Sequence, residues 1–252
     1  MILSSSTKRP KIHSSAYVAP TAVVSGDVTI GSGAAVLHGA VITAEGAPVT
    51  IGEECVVMEN AVVKASGGSA LSFPVKIGDR CIVGPHAYVV GATVAEGCFV
   101  ASGAKIFNGA TLERGCGVAL NGIVHVSSRL PEGTSVPMQH IAFGDPVVVY
   151  PPDKAPEIHA KMHFYADVFN LEDGDDVRRR AASTYARFLR KTHAQESPLA
   201  EHRGTKPAPR RSADEPPPTQ TTEVDKVVDV MMLELEEMEH RRQEAIKRQQ
   251  RR

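Results

Sequence analysis

Residues 94–124 read VAEGCFVASGAKIFNGATLERGCGVALNGIV, with an aliphatic side chain at Val94, Val100, Ile106, Leu112, Val118 and Val124. The step is six. It extends forward to Leu130 and Val136, and backward through Ile12, Val18, Val24, Ile30, Val36 and Ile42. After a three-residue insertion it returns at Ile51, Val57 and Val63, and after a longer one, Ala65 to Lys76, at Ile77, Val83 and Val89. An amphipathic helix repeats near 3.6 residues and a half-buried strand repeats every 2. A period of six fits neither. It fits a parallel β-helix, each hexad giving one short strand and a turn and three hexads closing a coil. Glycine often follows the anchor, as in Ile30-Gly31, Ile51-Gly52, Ile77-Gly78 and Val83-Gly84. The slot four residues after the anchor is small or β-branched, as at Ala22, Val28, Ala34, Ala40, Ala61, Ala87, Ala104 and Ala110. The pattern predicts a mainly β chain: a left-handed parallel β-helix of hexapeptide repeats followed by C-terminal α-helices.

The four cysteines follow the same grid. Cys55, Cys81, Cys98 and Cys116 each lie four residues after an anchor: Ile51, Ile77, Val94 and Leu112. They should therefore stack in one column, with neighbours about 4.8 Å apart. A structural zinc site gathers its ligands around a turn instead, and a cytoplasmic chain has little use for a disulfide. Buried thiols are the expectation.

Past Gly144-Asp145-Pro146 the period stops. Ile158, Met162, Tyr165 and Phe169 then follow helical spacing, and a second helix is expected over 175–193, placing Val177, Ala181, Tyr185, Phe188 and Leu189 on one side. Asp173 or Asp175 would serve as its N-cap or first-turn acid. Residues 195–222 hold six prolines and almost no large apolar side chain, a linker composition. The last segment spaces Val224, Val228, Met231, Leu235, Met238, Arg242 and Ala245 by alternating fours and threes, a heptad seam. The expected organisation is a β-helix over 1–150, two packing helices over 153–193, a disordered linker over 194–222 and an amphipathic or coiled-coil helix over 223–252. That last helix is a possible contact for a protein partner.

A formal charge of −1 gives no general attraction for nucleic acid or an anionic membrane. No stretch approaches the roughly 20 apolar residues of a membrane span, and Met1 to Arg9 has no apolar segment of a secretory signal. A cytoplasmic protein is expected.

The hexads from Val24 to Pro146 resemble the gamma-class carbonic anhydrase family. The resemblance is carried by Ser25-Gly26-Asp27-Val28-Thr29-Ile30-Gly31, Gly39-Ala40-Val41-Ile42, Ile77-Gly78-Asp79 and Gly144-Asp145-Pro146, and spans about Ile12 to Lys191. Hexads alone are shared with many acyltransferases. The order of insertions favours the anhydrase-like branch. Two dynactin subunits are similar around Val41-Ile42-Thr43-Ala44-Glu45, which shows the scaffold in a non-enzymatic role.

The resemblance implies a homotrimer with zinc held by three histidines across the subunit interface. The positions matching those ligands hold Lys64, Pro85 and Val90. The family's Arg-x-Asp pair falls on Thr43-Ala44-Glu45, leaving only the acid, and its glutamine position holds Met58, followed by Glu59 and Asn60. His38, His86 and His125 are not expected to rebuild the site, because coils two apart differ in height by roughly 9–10 Å and zinc–nitrogen bonds are about 2 Å. No cofactor is expected, with a relocated zinc site as an alternative. Lys64 is expected either to pair with Glu45 or Glu59, its ammonium taking over the charge of the metal, or simply to point its head to solvent. An acyl-CoA-dependent acyltransferase is the other enzymatic alternative, with His125, following Asn121, as the best-placed general base and His86 second. The leading expectation is a trimeric scaffold or small-ligand binder without zinc-dependent hydration of carbon dioxide.

Overall fold

A computed structural model describes residues 1–5, 8–67, 71–172, 174–194 and 196–199. From Val23 to Phe143 the chain visits three sheets in rotation, and each strand except Ser72–Phe73 pairs in parallel with its counterpart in a neighbouring coil. The expected parallel β-solenoid is present. The first wall is an 11-stranded sheet; the second, from Lys11–Ile12 to Arg129–Leu130, and the third, from Tyr17–Val18 to Ser135–Val136, have seven strands each. Anchors stack on anchors: Ile30 on Ile51, Ile51 on Ile77, Ile77 on Val94, Val94 on Leu112 and Leu112 on Leu130. These side chains and the small residues four positions later form one continuous buried core.

The glycine after the anchor has a steric cause. A Cβ on Gly31, Gly52, Gly78 or Gly84 would lie 2.7–2.9 Å from backbone atoms of the next coil, so consecutive coils approach too closely there for any side chain. The cysteines form the expected column, with Val56 N–H bonding to Cys81 O, Ile82 to Cys98 O and Phe99 to Cys116 O. All four thiols are free and buried. Each donates to a neighbouring carbonyl, as Cys81 does to Ala95 O at 3.0 Å and Cys116 to Pro131 O at 3.1 Å. Burial pushes the Cys116 thiol up.

The longer insertion is a hairpin in which Ser66 and Gly67 pair antiparallel with Phe73 and Ser72. Antiparallel strands also close both ends of the first wall. Val148–Tyr150 returns along Ile141–Phe143 at one end. At the other, Ile2–Ser5 joins Val23–Ser25, and Glu196–Pro198 adds outside it. This last strand corrects the expectation of a disordered linker from 194, because a proline-containing segment remains competent to pair at a sheet edge. The rest of that linker, from residue 200, and the amphipathic 223–252 segment lie outside the described residues.

The helical segment starts with a single 3₁₀ turn, Pro152–Lys154. Where one helix is expected to run from Pro156 to Phe169, there are two short ones, α1 (Ala155–His159) and α2 (Phe164–Phe169), broken at residues 160–163. Ile158, Met162, Tyr165 and Phe169 are still among the better covered positions. α2 stops at Asn170, whose φ of 53° is left-handed. α3 (Val177–His193) has Asp176 at its N-cap position, without a side-chain cap bond, and no acid in its first turn, so Asp175 fills neither expected role; Asp173 lies outside the described residues. Val177 and Ala181 are buried, and Arg190, Lys191 and His193 stand in the last turn, where cations suit the helix dipole.

We predict that Gly78→Ala lowers stability by at least about 2 kcal/mol through forced coil separation. Gly97→Ala, at φ 67° with open space around its Cβ, should cost only about 1 kcal/mol of left-handed strain. Urea unfolding of the two variants checks the difference.

Candidate functional site

Lys64 sits in the strand Val62–Gly67 on the first wall, in register with Thr43 below and Val90 above. Glu45 follows the adjacent strand, its backbone N–H bonding to Ala65 O. Parallel register therefore sets the acid and the amine on neighbouring rungs. Their charged atoms are 2.8 Å apart, with the side chains only 19% (Lys64) and 8% (Glu45) exposed. Tyr185 of α3 closes the pair: Lys64 Nζ donates to its hydroxyl at 2.9 Å, and the hydroxyl donates to Glu45 Oε2 at 3.3 Å. The ammonium also lies 5.5 Å from the centre of the Tyr185 ring.

Burial opposes the charge on Lys64, but the hydrogen bonds and charge of Glu45, with Tyr185, outweigh it and hold the amine above its ordinary 10.5. The stabilisation this implies is complete below pH 10.5 and disappears as pH rises through the raised value. Glu45 Oε1 faces His193 Nε2 at 3.4 Å, and His193 Nδ1 lies 2.9 Å from Glu196 Oε1, which accepts a hydrogen bond from Ser25 Oγ. One polar network thus ties the wall, α3 and the end strand together.

The remaining sequence candidates do not join it. Glu59 occupies the turn entering the Lys64 strand, where its carbonyl accepts the His86 amide. Lys64 meets Glu45 instead, because Glu45 lies at the exit end of the neighbouring rung. His86 is exposed in a left-handed turn residue, as is Asn121. His125 lies at the exit of a first-wall strand, so it shares no corner with His86. His38 is exposed and bonds to Thr21 Oγ1 at 2.9 Å. His125 is half-buried between Phe107 and Phe143, with ring centres 5.8 and 5.5 Å away. Its Nδ1 accepts the Val126 amide at 2.7 Å, which assigns the proton of the neutral ring to Nε2. Burial holds His125 below its ordinary value, against a smaller opposing effect of Asp167. In that tautomer the ring presents Nε2–H as a donor.

Zinc does not fit the residues at the matching positions. The Lys64 nitrogen is a protonated donor in an ion pair, Pro85 has no ligating side chain, and Val90 is buried hydrocarbon. Among the described residues no group of three or more His, Cys, Asp or Glu is arranged to hold a metal.

Beside the ion pair, a cavity of about 430 Å³ lies between the first wall and helices α2 and α3. Tyr88, Val90 and Phe107 line it from the wall, and Phe169, Tyr185 and Phe188 from the helices. Asn108, 6% exposed, donates to Ser66 Oγ at 3.0 Å on the same lining. Burial pushes the Tyr88 hydroxyl up, partly offset by the Lys64 charge. Sequence reasoning placed Tyr185 on the packing side of its helix but missed its hydroxyl, although a buried tyrosine oxygen normally finds a partner. It gave no site role to Ser25, Asn108, His193 or Glu196.

No known family profile matches the chain. It is 32% identical over 128 residues to gamma carbonic anhydrase 2, mitochondrial, of Arabidopsis thaliana, and 33% identical over 128 residues to gamma carbonic anhydrase 1, mitochondrial, of the same plant. Each match covers 50% of this chain and 46% of the relative, so the chain spans about half the length of the curated relatives it matches. Among solved structures, a hexapeptide transferase family protein from Anaplasma phagocytophilum is 18% identical, over 75% of this chain and 96% of that one, with a TM-score of 0.30.

Two outcomes are predicted. Lys64→Met should cost on the order of 3 kcal/mol by stranding the buried Glu45 charge, and adding Glu45→Gln should recover more than half of it, as a double-mutant cycle in urea would show. For His125, whose folded value is depressed, stability is full above its ordinary pH 6.5 and falls as pH drops below it. Melting temperatures between pH 7.5 and 5 should therefore drop less in His125→Phe than in the parent.

Proposed function

We propose that this gamma-carbonic-anhydrase-like hexapeptide-repeat protein is a homotrimeric, cytoplasmic scaffold that does not hydrate carbon dioxide through zinc. The observation that carries the reading is the Lys64–Glu45 pair sealed by Tyr185. Where the resemblance calls for a neutral imidazole, this chain has an ammonium held above its ordinary value. It offers no lone pair at neutral pH, and its charge repels a dication a few ångströms away.

The walls support assembly. In register along the third wall stand Tyr17, Ala35, Val56, Ile82, Phe99, Gly117 and Ser135, with Tyr17 50%, Ile82 37% and Phe99 51% exposed. The corresponding column of the second wall is Lys11, Thr29, Thr50, Lys76, Thr93, Thr111 and Arg129. The second wall is polar along this column, whereas the third carries exposed apolar side chains over its first five coils, a face suited to contact with another subunit. Free thiols suit a reducing compartment, and no helix of the described residues is long and apolar enough to cross a membrane. The heptad segment 223–252 would clamp the trimer or hold a protein partner.

The test is zinc content and carbon dioxide hydration on one preparation, with its mass in solution. We expect well under one zinc per chain, no turnover above buffer and three times the 26.9 kDa chain mass. Stoichiometric zinc, with turnover lost in His86→Ala or His125→Ala, would restore the enzyme.

A further inference from the structure

The cavity between the first wall and the helices has a chemistry the scaffold reading does not use. Its size lies within the range of small-molecule sites, about 300–1,000 Å³. Aromatic rings face it from both sides: Tyr88 and Phe107, 6.2 Å apart on the wall, and Phe169 and Tyr185, 5.9 Å apart on the helices. Such rings favour offset or edge contacts with another flat ring.

Its polar groups are few and specific. Lys64 is the cation on the lining, and Glu45 already neutralises it. An incoming anion would have to compete with a buried carboxylate 2.8 Å away, and an incoming cation would meet the ammonium. Desolvating either kind of charge against aromatic walls is costly. Asn108 is different. Its bond to Ser66 uses one amide hydrogen, leaving a second N–H as a donor for the oxygen of a neutral head group, while its carbonyl oxygen lies against Gly91.

We propose that this cavity binds a neutral, flat aromatic molecule carrying one hydroxyl or amide, its rings held between the wall and helix aromatics and its head bound by Asn108. The assignment rests on the non-metal reading of the Lys64 locus. α3 supplies the rim: Thr184 lines the cavity yet is an exposed helix position, so a large side chain there closes the mouth without entering the core.

The probes are 4-phenylphenol, biphenyl and biphenyl-4-carboxylate, titrated calorimetrically into the full chain with and without EDTA. 4-Phenylphenol should bind once per chain, at least tenfold tighter than the carboxylate. Thr184→Trp should abolish binding while keeping the parent's melting temperature. Asn108→Leu should weaken the phenol about 3- to 10-fold, the value of one hydrogen bond, and leave biphenyl unchanged. Absence of phenol binding to the parent, undiminished binding to Thr184→Trp, or preference for the carboxylate overturns the assignment. If EDTA removes the binding, the non-metal reading fails with it; loss of binding in both buffers overturns the cavity assignment alone.

Discussion

Every coil must return to the register of the coil beneath it, because its backbone N–H and C=O groups have nowhere else to bond. That ladder is the constraint on which the molecule depends. It requires a side chain of constant bulk at each anchor, from Ile30 through Ile51, Ile77, Val94 and Leu112 to Leu130. It requires no side chain at all at Gly52 or Gly78, where coils nearly touch. Variation is confined to corners and ends. There the chain places the hairpin of residues 66–73, the closing strands and the helices.

The same ladder makes the site rigid. A position on a wall has a fixed height, so a histidine two coils away cannot reach the place of Lys64. Lys64 and Glu45 meet because they stand on neighbouring rungs, and α3 then lays Tyr185 across them. A buried ion pair is weak support for stability compared with hydrocarbon packing. Its meaning here is positional: it fills with a satisfied charge pair the place where the resemblance calls for a metal.

The repeat was legible because its signal is local and repeated many times over. The anchors and the cysteine column could be numbered from the hexads alone, whereas singling out Lys64, Pro85 and Val90 needed the family resemblance as well. What could not be read are contacts without a period. The bridge from Ser25 to Glu196 joins residues 171 apart. The strand Glu196–Pro198 forms through backbone bonds to Ile2–Ser5, which a composition rich in proline and charge does not advertise. The break at residues 160–163 interrupts an unbroken apolar stripe, since spacing reports which side chains are covered and not whether the backbone stays helical between them. The cavity was equally hidden, being a product of how α2 and α3 sit on the wall.

The central claim is that a charged, paired Lys64 stands where the resemblance places a metal ligand. Its most direct test is the titration of the Lys64 ammonium, followed by NMR on lysine labelled at Cε and Nζ and assigned with Lys64→Met. The account predicts a single resonance that loses its proton only above pH 10.5 and shifts when Glu45 is changed to Gln. A Lys64 amine that titrates at or below the ordinary lysine value, and ignores Glu45, would contradict it.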